Sequence, residues 1–143
     1  MPVVDASVWV SLCHLRDSHH STCAKWLERL LVDGTPLLAP TLLVVELGAA
    51  LRRLTGDPAL AAQAVSELDE SGILELVPLS GERARRAAAL ASRTALRGAD
   101  AVYVELARER GSALVTLDRQ QLERGASMVN VTLPSDDPLE RTR

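Results

Sequence analysis

Pro2-Val3-Val4-Asp5-Ala6-Ser7 near the start of the chain and Leu114-Val115-Thr116-Leu117-Asp118 near its end decide the fold. Each is a short, largely aliphatic run that stops at a carboxylate. Short apolar runs bounded by turn residues fit strands buried on both faces. An acid that closes such a strand stands at the carboxyl edge of the sheet, where open α/β sheets bind their ligands. Right-handed crossovers carry both acids to the same edge.

Between these stretches helical and strand signals alternate. Ser7 offers an N-cap for a short helix through about Cys13. Ser18 or Ser21 can start the next, with Trp26, Leu27, Leu30 and Leu31 on one face; Asp33-Gly34 ends it. Residues 37–39 read as a strand, and Pro40-Thr41 leads into an apolar helix over 42–54. In Thr55-Gly56-Asp57-Pro58, Gly56 stops that helix, Asp57 caps the next, and Pro58 suits its first turn. Helix 59–68 and strand 73–77 follow. Ser80 opens a long Ala/Arg helix to 96, Gly98 interrupts it, and 99–109 is helical again up to Gly111. Residues 113–117 form a strand, 118–124 a short helix, and 128–131 a last strand. The pattern predicts a three-layer α/β/α domain with helices on both faces of a mostly parallel sheet of four or five strands. That domain is expected over residues 1–134, and the charged 135–143, with Pro138, as a flexible tail.

The chain has 143 residues and is 47% apolar, so one real core is affordable without disulfide or metal staples. Aromatic residues are limited to Trp9, Trp26 and Tyr103, so the core must be aliphatic. So few rings argue against a nucleic-acid binder built on stacking platforms. A net charge of −3 argues against binding by bulk charge. Cys13 and Cys23 do not make a disulfide framework and are expected as small buried hydrophobes. With no signal peptide evident and no apolar run of the ~18 residues needed to span a bilayer, the chain is expected to be cytoplasmic and off the membrane.

Two more acids stand out. Glu46 interrupts Leu42-Leu43-Val44-Val45-Glu46-Leu47, and Asp100 lies between Ala99 and Ala101-Val102. A carboxylate in such company is costly unless paired or bound to a cation. For Asp100 the competing explanation is complementation of a helix dipole; for Glu46 it is a salt bridge to Arg52 or Arg53. Asp5, Glu46, Asp100 and Asp118 in one pocket would repel unless they shared protons or a cation. All-oxygen ligands favour Mg²⁺ or Mn²⁺ over Zn²⁺. Such ions activate water, polarise a phosphoryl oxygen and stabilise the leaving oxygen, which is the chemistry of phosphodiester hydrolysis.

The ordered set Val3-Val4-Asp5-Ala6-Ser7, Val44-Val45-Glu46-Leu47, Leu96-Arg97-Gly98-Ala99-Asp100-Ala101-Val102-Tyr103 and Leu114-Val115-Thr116-Leu117-Asp118 resembles the PIN-domain family. Within it, the set is similar to the VapC-type toxins of bacterial toxin–antitoxin pairs. The resemblance covers about residues 2 to 132. It implies that Asp5, Glu46 and Asp100 match three core acids and that Asp118 matches a fourth, more variable one. Thr116 and Ser7 match polar residues beside the acids. The implied activity is metal-dependent endonucleolytic cleavage of RNA. The implied partners are a small VapB-type antitoxin, whose C-terminal segment covers the groove, and a second copy in a homodimer.

Arg97, three residues before Asp100, is the first candidate for an RNA-phosphate contact, ahead of Arg93 and Arg119. The alternative function is a PIN-like module that docks antitoxin or RNA with little cleavage. A Mg²⁺-dependent phosphatase fits less well, since Asp5 is followed by Ser7 where that class commonly has a second acid. His14, His19, His20 and Cys23 lie close together and His19 and Cys23 could share a helix face, but a full set of four Zn²⁺ ligands is not obvious there, and Ser7, His14 and Asp17 lack a nucleophile elbow. Glu105 is expected to be solvated or ion-paired, and Tyr103 to pack in the core or beside the site.

Overall fold

A computed structural model describes residues 1–135, so residues 136–143 of the expected tail lie outside the described residues. The elements are β1 (Val3–Val4), α1 (Ala6–Cys13), α2 (His20–Val32), β2 (Leu37–Pro40), α3 (Leu42–Thr55) and α4 (Pro58–Glu70). They continue with β3 (Leu74–Val77), α5 (Gly81–Arg93), α6 (Gly98–Arg110), β4 (Leu114–Val115), α7 (Arg119–Gly125) and β5 (Val131–Thr132).

The sheet order is β3-β2-β1-β4-β5, and every pairing is parallel. Parallel neighbours require crossover connections, which the helices supply. From β1 the chain builds outward through β2 and β3, then crosses back to β4 and β5 on the other side. The order therefore reverses between β1 and β4, in register Val3 with Leu114 and Val4 with Val115. This reversal is the topological switch point at which α/β sheets open a crevice.

The core is aliphatic, as the composition requires. Val3, Val4 and all of β2 are buried between the helical layers. Leu43, Leu47 and Leu51, spaced four apart, form the fully buried stripe of α3. From α6 come Ala101, Tyr103, Val104 and Ala107, each without solvent exposure. Among the described residues, no helix is long and apolar enough to cross a membrane.

Several local expectations are corrected. Asp5, not Ser7, is the N-cap of α1: its carboxylate accepts from the Ser7 amide. Neither Ser18 nor Ser21 caps α2; the turn before it is organised by Asp17, whose Oδ1 accepts from Ser11 Oγ and the His19 amide. Leu31 leaves the expected buried face, while Trp26 and Leu30 stay buried. Helix α5 stops at Arg93 because Thr94 becomes extended and its hydroxyl donates back to Leu90 O. The last strand lies at Val131–Thr132, since the amides of Met128 and Val129 turn back to Gly125 O. Glu105 is buried rather than solvated, and ion-paired with Arg108 (3.1 Å) and Arg86 (3.4 Å).

Leu47→Ala would open a cavity in the α3 stripe. Its unfolding free energy should fall by about 2–5 kcal/mol in urea denaturation, with an unchanged native circular-dichroism spectrum.

Candidate active site

A cavity of about 480 Å³ opens at the carboxyl edge of the sheet, and Asp5, Glu46, Asp100 and Asp118 all line it. They come from the end of β1, the second turn of α3, the first turn of α6, and the turn between β4 and α7. The four acids singled out in the sequence are thus brought together.

Asp5 is buried and held through one oxygen. Its Oδ2 accepts from the Ser7 amide (3.1 Å), the Ser7 hydroxyl and the Thr116 hydroxyl (3.0 Å). Ser7 Oγ accepts in turn from the Leu117 amide, and Thr116 Oγ1 from the Asp118 amide, both at 3.0 Å. Ser7 and Thr116 thereby tie the end of β1 to the chain beyond β4. Among the described residues, no hydrogen bond uses Asp5 Oδ1.

Glu46 does not pair with Arg52 or Arg53. Its Oε1 accepts from the Tyr103 hydroxyl at 2.7 Å. It is half-buried rather than enclosed, because the start of α3 buries Leu43 and Leu47 but leaves Val45 at 69% exposure. Burial, followed by the charges of Asp5 and Asp100, pushes the Glu46 carboxyl above its ordinary range, against the hydrogen bond from Tyr103. Burial and the charge of Glu46 raise the Tyr103 hydroxyl, which therefore stays protonated and donates. Tyr103 thus fills both roles considered for it, core packing and contact with the site.

Asp100 accepts from Arg97 Nε at Oδ2 (2.9 Å) and from Gln121 Nε2 at Oδ1 (3.3 Å). Burial raises its carboxyl, and the Arg97 hydrogen bond and charge oppose the rise. Asp118 caps α7, with Oδ1 accepting from the amides of Gln120 (2.8 Å) and Gln121 (3.3 Å), and its Oδ2 meets Arg97 Nη2 at 2.6 Å. Arg97 therefore bridges Asp100 and Asp118. Arg93 and Arg119 are exposed on α5 and α7.

Gln121 was not anticipated. It is fully buried, and its Oε1 has no hydrogen-bond partner among the described residues. The signal was an amide one turn into α7, on the side that returns to the acids. The imagined Zn²⁺ cluster does not form: Cys23 is in the core, His20 Nδ1 bonds to Ser11 O, and no group of three His, Cys, Asp or Glu among the described residues is gathered closely enough to hold a metal. This last point covers the four acids as well. They line one cavity, yet no three of them form a group that could hold a metal ion as they stand.

The family model for the PIN domain matches residues 3–126. The chain belongs to the PIN-domain family. Several solved structures resemble this PIN domain. One is the Mycobacterium tuberculosis VapC20 toxin, described as cleaving the sarcin–ricin loop, at 20% identity and TM-score 0.74 over 92% of this chain and 98% of that one. A chain of the Rickettsia felis VapBC2 complex, bound to a DNA fragment from its promoter, aligns at 11% identity and TM-score 0.70 over 92% and 96%. A chain of the DNA-bound VapBC of Salmonella typhimurium aligns at 16% identity and TM-score 0.65 over 93% and 98%. At these identities the likeness is one of fold. Among curated protein sequences none matches significantly.

Because Glu46 holds its proton more tightly folded than unfolded, ionising it costs folded-state stability as pH rises from about 4.3 through the raised value. Glu46→Gln, which can still accept from Tyr103, should therefore melt above wild type at pH 7 in EDTA. The gap should close as pH falls toward 4; equal melting temperatures at both pH values would refute this account.

Proposed function

We propose that this PIN domain is a Mg²⁺- or Mn²⁺-dependent endoribonuclease and the toxin of a toxin–antitoxin pair. The observation that carries the reading is the convergence of Asp5, Glu46, Asp100 and Asp118 on one cavity at the switch point of the sheet. The donor set fits a hard divalent cation: every candidate ligand is a carboxylate oxygen, and Asp5 Oδ1 and Glu46 Oε2 carry no hydrogen bond from the described residues.

Asp5, Glu46 and Asp100 would hold the cation, and Asp118 would complete the site. Bound there, the cation would activate water and offset charge on the phosphoryl group. The protein's own part is orientation. Ser7 and Thr116 fix the rotamer of Asp5, Tyr103 fixes Glu46, and Gln121 steadies Asp100. Arg97, exposed at the rim beside Asp100 and Asp118, would meet a phosphate of the RNA.

Besides the acids, the cavity is lined by Val10, Val45, Ala49, Ala50 and the cation Arg53, a mixed surface that would receive the C-terminal segment of a VapB-type antitoxin. The resemblance in fold to chains of VapBC complexes supports that partner. A homodimer and a cytoplasmic location complete the reading, with the domain extending to about residue 134.

The test is cleavage of RNA by wild type and Asp5→Asn, with Mn²⁺ and with EDTA. Asparagine also caps helices well, so this variant should remain folded. Cleavage should depend on Mn²⁺ and fall roughly 10²-fold or more in the variant. Binding of RNA by wild type with no cleavage under Mn²⁺ would replace the enzyme by an RNA- or antitoxin-docking module.

A further inference from the structure

Arg97 is the N-cap residue of α6, yet its side chain makes no capping bond. Its guanidinium instead forks across the cavity, with Nε on Asp100 Oδ2 at 2.9 Å and Nη2 on Asp118 Oδ2 at 2.6 Å. The side chain is 60% exposed, so it reaches in from the solvent side and is not built into the core. Among the described residues, no other cation is ion-paired with any of the four acids. The acids thus divide into two kinds. Asp5 and Glu46 are held by neutral hydroxyl and amide groups through one oxygen each. Asp100 and Asp118 each give an oxygen to the same guanidinium.

We propose that Arg97 is a resident counter-ion that holds Asp100 and Asp118 while the cavity lacks a divalent cation and is exchanged for that cation when it binds. The inference rests on the reading of the cavity as a Mg²⁺ or Mn²⁺ site. A guanidinium is planar and monovalent and suits two separated carboxylate oxygens. A small divalent ion needs those oxygens drawn inward, and its charge repels a guanidinium left beside it. With Arg97 in place the acids are not gathered into a metal-holding group. Exchange needs little: an exposed side chain rotates about its own bonds, and Asp118 keeps its cap on α7 through Oδ1 while Oδ2 changes partner. Asp100 likewise keeps Gln121 on Oδ1. A strut would strengthen metal binding by holding the acids in place, whereas a counter-ion competes with the metal. The two roles therefore predict opposite effects of removing it.

Mn²⁺ binding measured by calorimetry without RNA, on the full chain, separates them for wild type, Arg97→Met and Arg97→Lys. Arg97→Met should bind Mn²⁺ with a Kd about three- to tenfold lower than wild type, the range set by losing one or two partly exposed ion pairs. Arg97→Lys, a point charge that cannot fork, should fall between. In EDTA Arg97→Met should melt below wild type, and saturating Mn²⁺ should remove the difference. An unchanged or higher Kd in Arg97→Met, with Mn²⁺ binding to wild type, overturns the exchange and leaves the metal site standing. Failure of all three proteins to bind Mn²⁺ overturns both.

Discussion

Repulsion among carboxylates gathered at one end of a parallel sheet is the constraint on which the arrangement of the cavity depends. Four acids line a partly desolvated space. Each must be held against its neighbours, and the means differ. Asp5 and Asp118 sit at the N-termini of α1 and α7, where unpaired amides and the helix dipole favour negative charge. Glu46 has a tyrosine hydroxyl, Asp100 a buried glutamine and an arginine. Burial still raises the Glu46 and Asp100 carboxyls, so these supports offset the repulsion only in part. The remaining imbalance would be relieved by positive charge in the cavity.

The fold itself follows from where such acids can be carried. Strand β1 is only two residues long by its ladder, yet it pairs with β2 on one side and β4 on the other. The reversal of strand order at β1 brings the chain after β4 beside Asp5. The Ser7 and Thr116 hydroxyls then join the two strand ends through a carboxylate oxygen. Tertiary structure and site geometry share these bonds.

Much of this was legible in the sequence, for physical reasons that can be named. Strands that end in acids, glycines with positive φ at Gly34, Gly56 and Gly111, and the Asp57-Pro58 start of α4 are local signals, and local signals survive folding. What failed was partner choice. Ser7 looked like a helix cap because serine caps helices; the neighbouring aspartate took the role and used the serine as a donor. For Glu46 a salt bridge to the arginines that follow it on α3 stood as the competing reading, but the helix turns it toward Tyr103 on α6. Gln121 carries no charge and no periodic signal, and only the return of α7 toward α6 gives it a role. For Glu105, expected to be solvated or ion-paired, the ion-paired alternative holds: it lies buried because arginines on α5 and α6 reach it. The partners of Glu46 and Gln121 lie far away in sequence, where composition and spacing say nothing about which surfaces meet, whereas Ser7 and Asp5 are two residues apart and compete locally for one cap.

The double use of Asp5 and Asp118 as helix caps has an evolutionary side. Residues that serve chemistry are commonly replaced at no loss of stability, and often at a gain, because a cluster of like charges strains the fold. Here two of the four acids also terminate helices, so drift to an uncharged, non-capping side chain would weaken α1 or α7 as well as the site. A lineage that no longer needed the site would still keep Asp5 and Asp118 for longer than Glu46 and Asp100. In diverging copies of this gene, the order in which the four acids are lost would therefore separate the two that also cap helices from the two that do not.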